Sequence, residues 1–147
     1  MVKIVNKKAK FEYSILEKLV AGIVLQGSEV KSIRAGKCNI SDAYCYIHDR
    51  EIFVKNMHIS KYDSDMFTNH DELRDKKLLL TKKEIQKWSK EILTPGHTII
   101  PLCIFINQYG LVKAEVGLCK GKKEFDKRQS IKENDARREI ERNIKTF

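Results

Sequence analysis

The residues best suited to catalysis lie in a polar stretch between two apolar segments, where imidazole and carboxylate groups occur close together. They are His58, Asp63, Asp65, His70 and Asp71. Such side chains bind divalent metals and activate water in metal-dependent nucleases. Their spacing matches no recognised ligand motif, and the sequence contains no glycine-rich phosphate loop, nucleophile elbow or zinc-protease motif. We therefore expect a protein that is not an enzyme, with no metal and no cofactor; a nuclease is the enzymatic alternative.

Binding to a polyanion is the second kind of chemistry, and the C-terminal stretch indicates it. From Lys120 to Phe147 ten Lys or Arg residues stand against six Asp or Glu, which leaves a net charge of +4. Phe125 lies in this basic run with no core to enter, so it is the best candidate for stacking on a base. Because apolar residues are few, we expect the stretch to order only against a partner. A solvated charged helix is the alternative.

The whole chain is basic as well. Its 147 residues include 29 Lys or Arg and 20 Asp or Glu, a net charge of +9. This balance favours nucleic acid or an anionic surface as partner. No apolar run is long enough to span a bilayer and no signal peptide is evident, so we expect a soluble cytoplasmic protein with no membrane contact. Four cysteines without a C-x-x-C pair predict reduced, partly buried thiols.

The candidate catalytic and RNA-binding groups must be positioned by secondary-structure elements, and the first third of the chain predicts several of them. Residues 1–10 contain four lysines and no acidic residue, which reads as a basic N-terminal arm. A β-type pattern from Phe11 to Leu25 predicts a long first strand, with a bend or bulge at Gly22. The stretch from Gly27 to Gly36 predicts a short helix with Ser28 as its N-cap.

The middle of the chain predicts a hairpin, a loop and a helix. Two runs flank Asp49-Arg50, the expected turn of a β-hairpin. Residues 56–77 are polar and aperiodic, which predicts a long loop. Residues 81–94 begin with capping-box spacing at Thr81 and carry an apolar stripe that includes Trp88, so we expect a helix whose tryptophan is in the core.

Two further strands complete the predicted domain. The run from Thr98 to Ile106 contains Pro101, which suggests an edge or a bulge, and the run from Leu111 to Cys119 alternates cleanly. About five antiparallel strands and two helices favour a mainly β fold. We predict a small antiparallel oligonucleotide-binding barrel over residues 1–120, with two or three flanking helices, and a basic tail over residues 121–147 that is disordered when free. An open α+β sheet is the alternative.

Several blocks of the chain, from Asn6 to about Arg142, resemble one family in their residues and their order. The family is small protein B, the SsrA-binding proteins of bacteria, which partner transfer-messenger RNA. The matching blocks are Asn6-Lys7-Lys8-Ala9, Glu29-Val30-Lys31-Ser32, Arg34-Ala35-Gly36, Asp42-Ala43-Tyr44, His58-Ile59-Ser60, Lys77-Leu78-Leu79-Leu80, Gly121-Lys122-Lys123, Asp126-Lys127-Arg128 and Ile131-Lys132-Glu133.

The resemblance implies that the barrel binds the tRNA-like domain of transfer-messenger RNA near its elbow. The family motifs then place ten residues in that surface or in its support: Asn6, Lys7, Lys8, Tyr13, Glu29, Lys31, Arg34, Tyr44, Leu79 and Lys113. The implied role is delivery of this RNA to ribosomes stalled on messages without a stop codon, in trans-translation. A generic single-stranded nucleic-acid-binding barrel is the alternative function.

The resemblance also implies how the tail acts. It would lie in the empty mRNA channel and the decoding site of the 70S ribosome and fold there as a helix against small-subunit rRNA. The tail residues implied are Gly121, Lys122, Lys123, Phe125, Asp126, Lys127, Arg128, Ile131 and Lys132. Elongation factor Tu is implied as a partner in the delivery complex, and the protein itself is expected to be a monomer.

The chain departs from the family pattern at three positions. Val20 stands where an acidic residue is common, so this chain lacks any contact with RNA that a carboxylate would make there. Arg50 stands in the hairpin turn where Gly is frequent. Phe125 stands where some relatives have a polar ring, so that ring forms no hydrogen bond.

Overall fold

The structure, a computed structural model, describes residues 2–62 and 70–122. Within these ranges the chain forms nine strands and three helices. In chain order they are β1 (Lys3–Val5), α1 (Lys7–Glu12), β2 (Tyr13–Ile23), α2 (Gly27–Arg34), β3 (Cys38–Asn39), β4 (Tyr44–His48), β5 (Glu51–Lys55), β6 (His58–Ile59), β7 (Lys76–Leu79), α3 (Lys82–Glu91), β8 (His97–Ile106) and β9 (Val112–Gly121). None of these helices has the length and apolar character to cross a membrane.

Six antiparallel strands close into a barrel. Their order around it is β8, β4, β5, β7, β2 and β9, and the pairing of β9 with β8 completes the ring. β1 adds to β8, while β3 and β6 form a separate two-stranded sheet. The predicted mainly β barrel is therefore confirmed. The expected number of strands was too low, because strands of two to four residues are too short to display a period.

The long strands bend at bulges. In β8 the register shifts between Pro101 and Cys103, as the proline predicted, because proline has no N–H to donate to the ladder. The bulge expected at Gly22 lies elsewhere in β2, between Ile15 and Glu17. Gly22 instead allows a close approach, since a Cβ there would lie 3.2 Å from Cδ1 of Leu79.

The interior is filled by alternate residues of the strands. Val112, Ala114, Val116 and Leu118 of β9 are all buried, as their alternation predicted, and α3 adds the fully buried Trp88. Burying a large apolar side chain stabilises the fold by about 1.5–3 kcal/mol. α3 begins as predicted: Thr81 Oγ1 accepts a hydrogen bond from the N–H of Glu84 at 3.2 Å, and the Thr81 N–H donates to Oε1 of Glu84 at 2.9 Å.

The predicted N-terminal arm is wrong, because residues 3–12 are part of the folded domain. Ile4 pairs with Ile104 of β8, and the Asn6 N–H donates to the Leu102 carbonyl at 2.9 Å. Ala9 of α1 is buried in a second apolar cluster whose other buried members are Ile100, Leu102 and Cys119. Because lysines dominate its composition, the segment was predicted to be an exposed arm, although its apolar residues attach it to the barrel.

The predicted loop over residues 56–77 contains two strands, so that prediction is wrong at both ends. Ile59 of β6 pairs with Cys38 of β3, and β7 begins at Lys76, whose side chain is fully buried. Residues 63–69 lie outside the described part of the chain. Because the buried residue at this position is a lysine, the sequence shows no apolar pattern that would extend β7 back to Lys76.

The N-cap of α2 is Gln26, and the prediction of Ser28 is also wrong. The Gln26 N–H donates to Oε1 of Glu29 at 2.7 Å. Ser28 lies within the first turn, and its Oγ is 2.8 Å from Nδ1 of the buried His70. Ser28 therefore contacts a residue 42 positions away in the sequence and does not cap the helix.

All four cysteines are free thiols, as predicted, and three of them are buried. Burial raises the pKa of Cys38 to about 12 and that of Cys119 to about 11. The thiols therefore stay protonated at neutral pH, which makes them poor nucleophiles and poor metal ligands.

Candidate nucleic-acid interface

The residues predicted to contact RNA lie mainly in two grooves near opposite ends of β2. Tyr13 begins this strand and lines the first groove, while Gly22 lies near its other end and lines the second. Strands rise about 3.3 Å per residue, so the two grooves are up to about 30 Å apart. The residues predicted from sequence to form one RNA-binding surface therefore lie mainly in two separate grooves.

The first groove has a volume of about 340 Å³ and lies among α1, β2, β4 and β8. Tyr13 and Tyr44 line it, together with Lys8. Tyr44 remains more than a third exposed, although it belongs to a barrel strand. Two tyrosines and a lysine in one concave site can contact both bases and phosphates.

Two acidic residues, Glu12 and Asp42, share this groove with the lysine. Lys8 Nζ donates to Oδ1 of Asp42 at 3.0 Å, and both side chains are exposed. The hydrogen bond and the charge of Asp42 raise the pKa of Lys8. A phosphate that reaches Lys8 must therefore compete with Asp42. Sequence reasoning did not assign Asp42 a role, although it lies in a block that matched the family.

Asn6 supports the first groove from within. Its side chain is only 1% exposed and makes three hydrogen bonds. Oδ1 accepts from the Ala9 N–H at 3.0 Å, which caps α1, while Nδ2 donates to the carbonyls of Ile40 at 3.0 Å and Pro101 at 3.1 Å. Asn6 thus joins α1 to β8 and to the segment before β4, and it positions the groove that it helps to line.

The second groove has a volume of about 300 Å³, and Leu79, Leu111 and Lys113 line it with Gly22. Leu79 is 54% exposed and Leu111 is 56% exposed. Arg34, at the end of α2, extends to the edge of the groove, with Nη2 4.0 Å from the position of a Cβ at Gly110. Exposed apolar side chains between two cations suit a ligand with both apolar and anionic parts. Leu111 was not predicted as a site residue, because a leucine beside a turn belongs to no periodic pattern.

Glu29 supports α2 and is fully buried. Its Oε1 accepts from Nη2 of Arg74 at 2.6 Å, and its Oε2 lies 3.9 Å from Nζ of Lys76. Lys76 Nζ also donates to the carbonyls of Met57 at 3.0 Å and Arg74 at 2.5 Å. Burial lowers the pKa of Lys76, and the charge of Glu29 opposes that shift. This network attaches α2 to β7, so Glu29 holds the helix in place.

Besides Glu29 and Arg34, two more predicted residues are absent from the linings of both grooves, Lys7 and Lys31. Lys7 is exposed at the start of α1, and Lys31 of α2 is exposed with Nζ 5.4 Å from the centroid of the Tyr62 ring. That distance allows a cation–π interaction. Lys31 therefore packs on a neighbouring ring on the outside of α2.

Only the beginning of the predicted tail is described, and it is attached to the barrel. Gly121 ends β9 and pairs with Tyr13. The Lys122 N–H donates to the Glu12 carbonyl at 2.9 Å, and its Nζ donates to the Lys10 carbonyl at 3.2 Å. The other predicted tail residues lie outside the described part of the chain: Lys123, Phe125, Asp126, Lys127, Arg128, Ile131 and Lys132.

The described members of the His and Asp cluster have separate partners. His58 Nε2 is 3.0 Å from Oε2 of Glu72, whereas His70 is buried, with Nε2 2.8 Å from the Ile59 carbonyl. Asp71 accepts from the Leu73 N–H at 2.9 Å. Over residues 2–62 and 70–122 no three His, Cys, Asp or Glu side chains are placed to hold a metal. Asp63 and Asp65 lie outside these ranges.

Comparison with known proteins gives one consistent result. The family model described as SmpB protein matches residues 3–146. An SsrA-binding protein of Acholeplasma laidlawii is 53% identical, covering 95% of this chain and 93% of its own, and one of Phocaeicola vulgatus is 49% identical, covering 98% and 96%.

The fold is also found among solved structures. A chain from the structure described as "tmRNA-SmpB: a journey to the center of the bacterial ribosome" is 37% identical, with a TM-score of 0.72 over 84% of this chain and 87% of the other. Sequence and fold agree over nearly the full length, and the chain belongs to the SmpB family.

Proposed function

We propose that this protein binds the tRNA-like domain of transfer-messenger RNA and brings it to stalled ribosomes for trans-translation. The observation that carries the proposal is the pair of exposed grooves on a barrel of the SmpB family, each of which has a lysine beside aromatic or apolar side chains. The names of the relatives, SsrA-binding protein, agree with it. The net charge of +9 supplies the attraction for RNA in general.

The bipartite arrangement suits a folded RNA. Two sites up to about 30 Å apart on one rigid barrel require a ligand with two faces at a set separation. An unstructured strand pays the entropy of ordering to reach both sites, whereas a folded RNA elbow is already shaped. Lys8, Tyr13 and Tyr44 would contact one part of the RNA, and Arg34, Leu79 and Lys113 the other.

The tail has a separate role in the proposal. Residues 123–147 would lie in the empty mRNA channel and decoding site of the 70S ribosome, with Phe125 stacked on small-subunit rRNA. Phosphate contacts would meet the cost of ordering a segment with so few apolar residues. Delivery by elongation factor Tu, action as a monomer and a cytoplasmic location belong to the same proposal.

A competition assay tests the RNA preference. The labelled tRNA-like domain is bound to the full chain at physiological salt and challenged with elongator tRNA and with unstructured RNA of equal length. We expect the unlabelled tRNA-like domain to compete at least about tenfold better than unstructured RNA, which corresponds to about 1.4 kcal/mol. Equal competition by unstructured RNA would reject the proposal in favour of a generic single-stranded nucleic-acid binder.

A further inference from the structure

A third groove lies on the outside of α3, away from the two grooves described above. It has a volume of about 520 Å³ and lies between the helix and the turn of the β4–β5 hairpin. Its lining shares no residue with the other two grooves and consists of Arg50, Lys82, Ile85, Gln86, Ser89 and Lys90. The family resemblance assigned none of these residues to RNA.

The cations of this groove have no carboxylate partner within residues 2–62 and 70–122. Lys8, Lys18, Lys77 and Lys87 each form an ion pair with a carboxylate. Among the residues that the structure describes, no carboxylate pairs with any of the three groove cations, and no acidic residue lines the groove. The groove is therefore a concave surface of one charge sign, which raises the local concentration of a polyanion.

The conformation of Arg50 supports a role for its charge. Its φ is +65°, in the left-handed region that two-residue hairpin turns usually fill with Gly or Asn. An L-residue with a Cβ costs about 1 kcal/mol there. A cation that occupies the turn at this cost projects from the hairpin tip into the α3 groove.

The dimensions fit a nucleic-acid backbone. Lys82 and Lys90 lie eight residues apart on α3, which is about 12 Å along the axis. A DNA duplex carries one phosphate charge about every 1.7 Å of its axis, so such a row faces several phosphates at once. No aromatic ring lines the groove, and therefore bases have no surface on which to stack.

The neutral residues between the cations favour RNA in duplex form. Ser89 donates its hydroxyl proton to the Ile85 carbonyl at 2.8 Å, so the oxygen retains lone pairs to accept a hydrogen bond. Gln86 provides both a donor and an acceptor. Double-stranded RNA is recognised mainly through phosphates and 2′-hydroxyls in its shallow minor groove, which such a set can contact.

We propose that the α3 groove binds the sugar–phosphate backbone of double-stranded RNA, with Arg50, Lys82 and Lys90 on phosphates and Gln86 and Ser89 on 2′-hydroxyls. The site is additional to the surfaces of the proposed function, and it rests on that function only for the choice of RNA as partner. With this site, a barrel that already holds one folded RNA can also dock on a second helical RNA segment.

The test measures the salt dependence of binding between the full chain and a random-sequence RNA duplex. The duplex has about 16 base pairs, the span of a typical double-stranded RNA-binding domain. The groove variant is Arg50→Gln with Lys82→Gln and Lys90→Gln. The matched control is Lys55→Gln with Lys83→Gln and Lys120→Gln, which removes the same charge from exposed positions outside the groove. We expect the slope of log K against log salt to fall by about two or more in the groove variant and by less than about one in the control.

The outcomes distinguish the two proposals. Equal slopes for the two triple variants would overturn the groove, as would a loss seen only with single-stranded RNA. If poly-glutamate of matched charge competes as well as the duplex does, the groove binds acidic proteins and the RNA proposal is overturned. NMR spectra of the native chain give a second readout, because amide shifts of Gln86 and Ser89 on adding duplex are expected, and their absence would also overturn it. None of these results depends on a preference for the tRNA-like domain.

Discussion

At the scale of single residues, the side chains matched to the family divide into supports and contacts. Asn6 and Glu29 are buried and form hydrogen bonds to distant parts of the chain, and therefore position α1 and α2. Tyr44, Leu79 and Arg34 face solvent. A residue type and its place in a motif cannot separate these roles, because the separation depends on what packs above each side chain.

Arg34 provides the first prediction at this scale. Arg34→Ala should reduce the salt slope for binding the tRNA-like domain by about one, because one phosphate contact is lost. The measurement is a series of binding titrations across salt concentrations, with the exposed Lys55→Ala as control. A slope equal to that of the native chain would remove Arg34 from the interface.

The second prediction at this scale concerns pH. Burial raises the pKa of Cys119 from 9.0 to about 11, so the folded state retains a proton that the unfolded state releases. Stability from this thiol is complete below pH 9 and is lost as the pH rises towards 11. Urea unfolding followed by the single tryptophan, Trp88, should show that the native chain loses more stability over this range than Cys119→Ala does. Parallel losses in the two proteins would contradict the prediction.

At the scale of elements, local signals identified most of the helices and long strands. The capping box of α3, the β4–β5 hairpin and the alternation of β9 all arise between near neighbours and were confirmed. Elements held by distant partners were missed: β1 depends on β8, and β6 depends on β3. Their few residues carry too little pattern to compete with the surrounding charges and polar residues.

The hairpin turn provides a prediction at this scale. Asp49 and Arg50 both have positive φ, so Arg50→Gly should raise the free energy of unfolding by about 1 kcal/mol, and Asp49→Gly by less, because Asp tolerates the left-handed region. Only Arg50→Gly should also weaken binding to duplex RNA, because only it removes a groove cation. Urea unfolding and duplex titrations measure the two effects, and equal RNA affinity of the two variants would contradict the role of Arg50.

At the scale of the whole molecule, one closed barrel presents three grooves on different parts of its surface. Closure leaves β2, β8 and β9 paired on both sides, so rigid strands contribute to the first two grooves. The chain that leaves this barrel at Lys122 is anchored by its hydrogen bonds to Glu12 and Lys10. The anchor determines where a tail would begin.

The prediction at this scale separates tail from barrel. A chain truncated after Lys122 keeps the anchor and should bind the tRNA-like domain as the full chain does, yet lose tagging on stalled ribosomes. Binding titrations and a reconstituted tagging reaction measure the two. A comparable loss in both would show that the tail contributes to the RNA site, and full tagging would show that the tail is dispensable.

The sequence alone determined the properties that depend on composition and near neighbours. These are the basic character, the free thiols, α3 with its cap, the hairpin with its turn and the mainly β class. The family blocks also identified residues of both grooves, without indicating that there are two.

Only the tertiary structure decided which of these residues are buried and which are exposed together. Barrel closure carries Tyr13 and Gly22 to different grooves, buries Lys76 against Glu29, and places Arg50 beside Lys82 and Lys90. The physical reason is that such placements depend on pairing between strands far apart in sequence. Local periodicity is the same whichever strand becomes the neighbour.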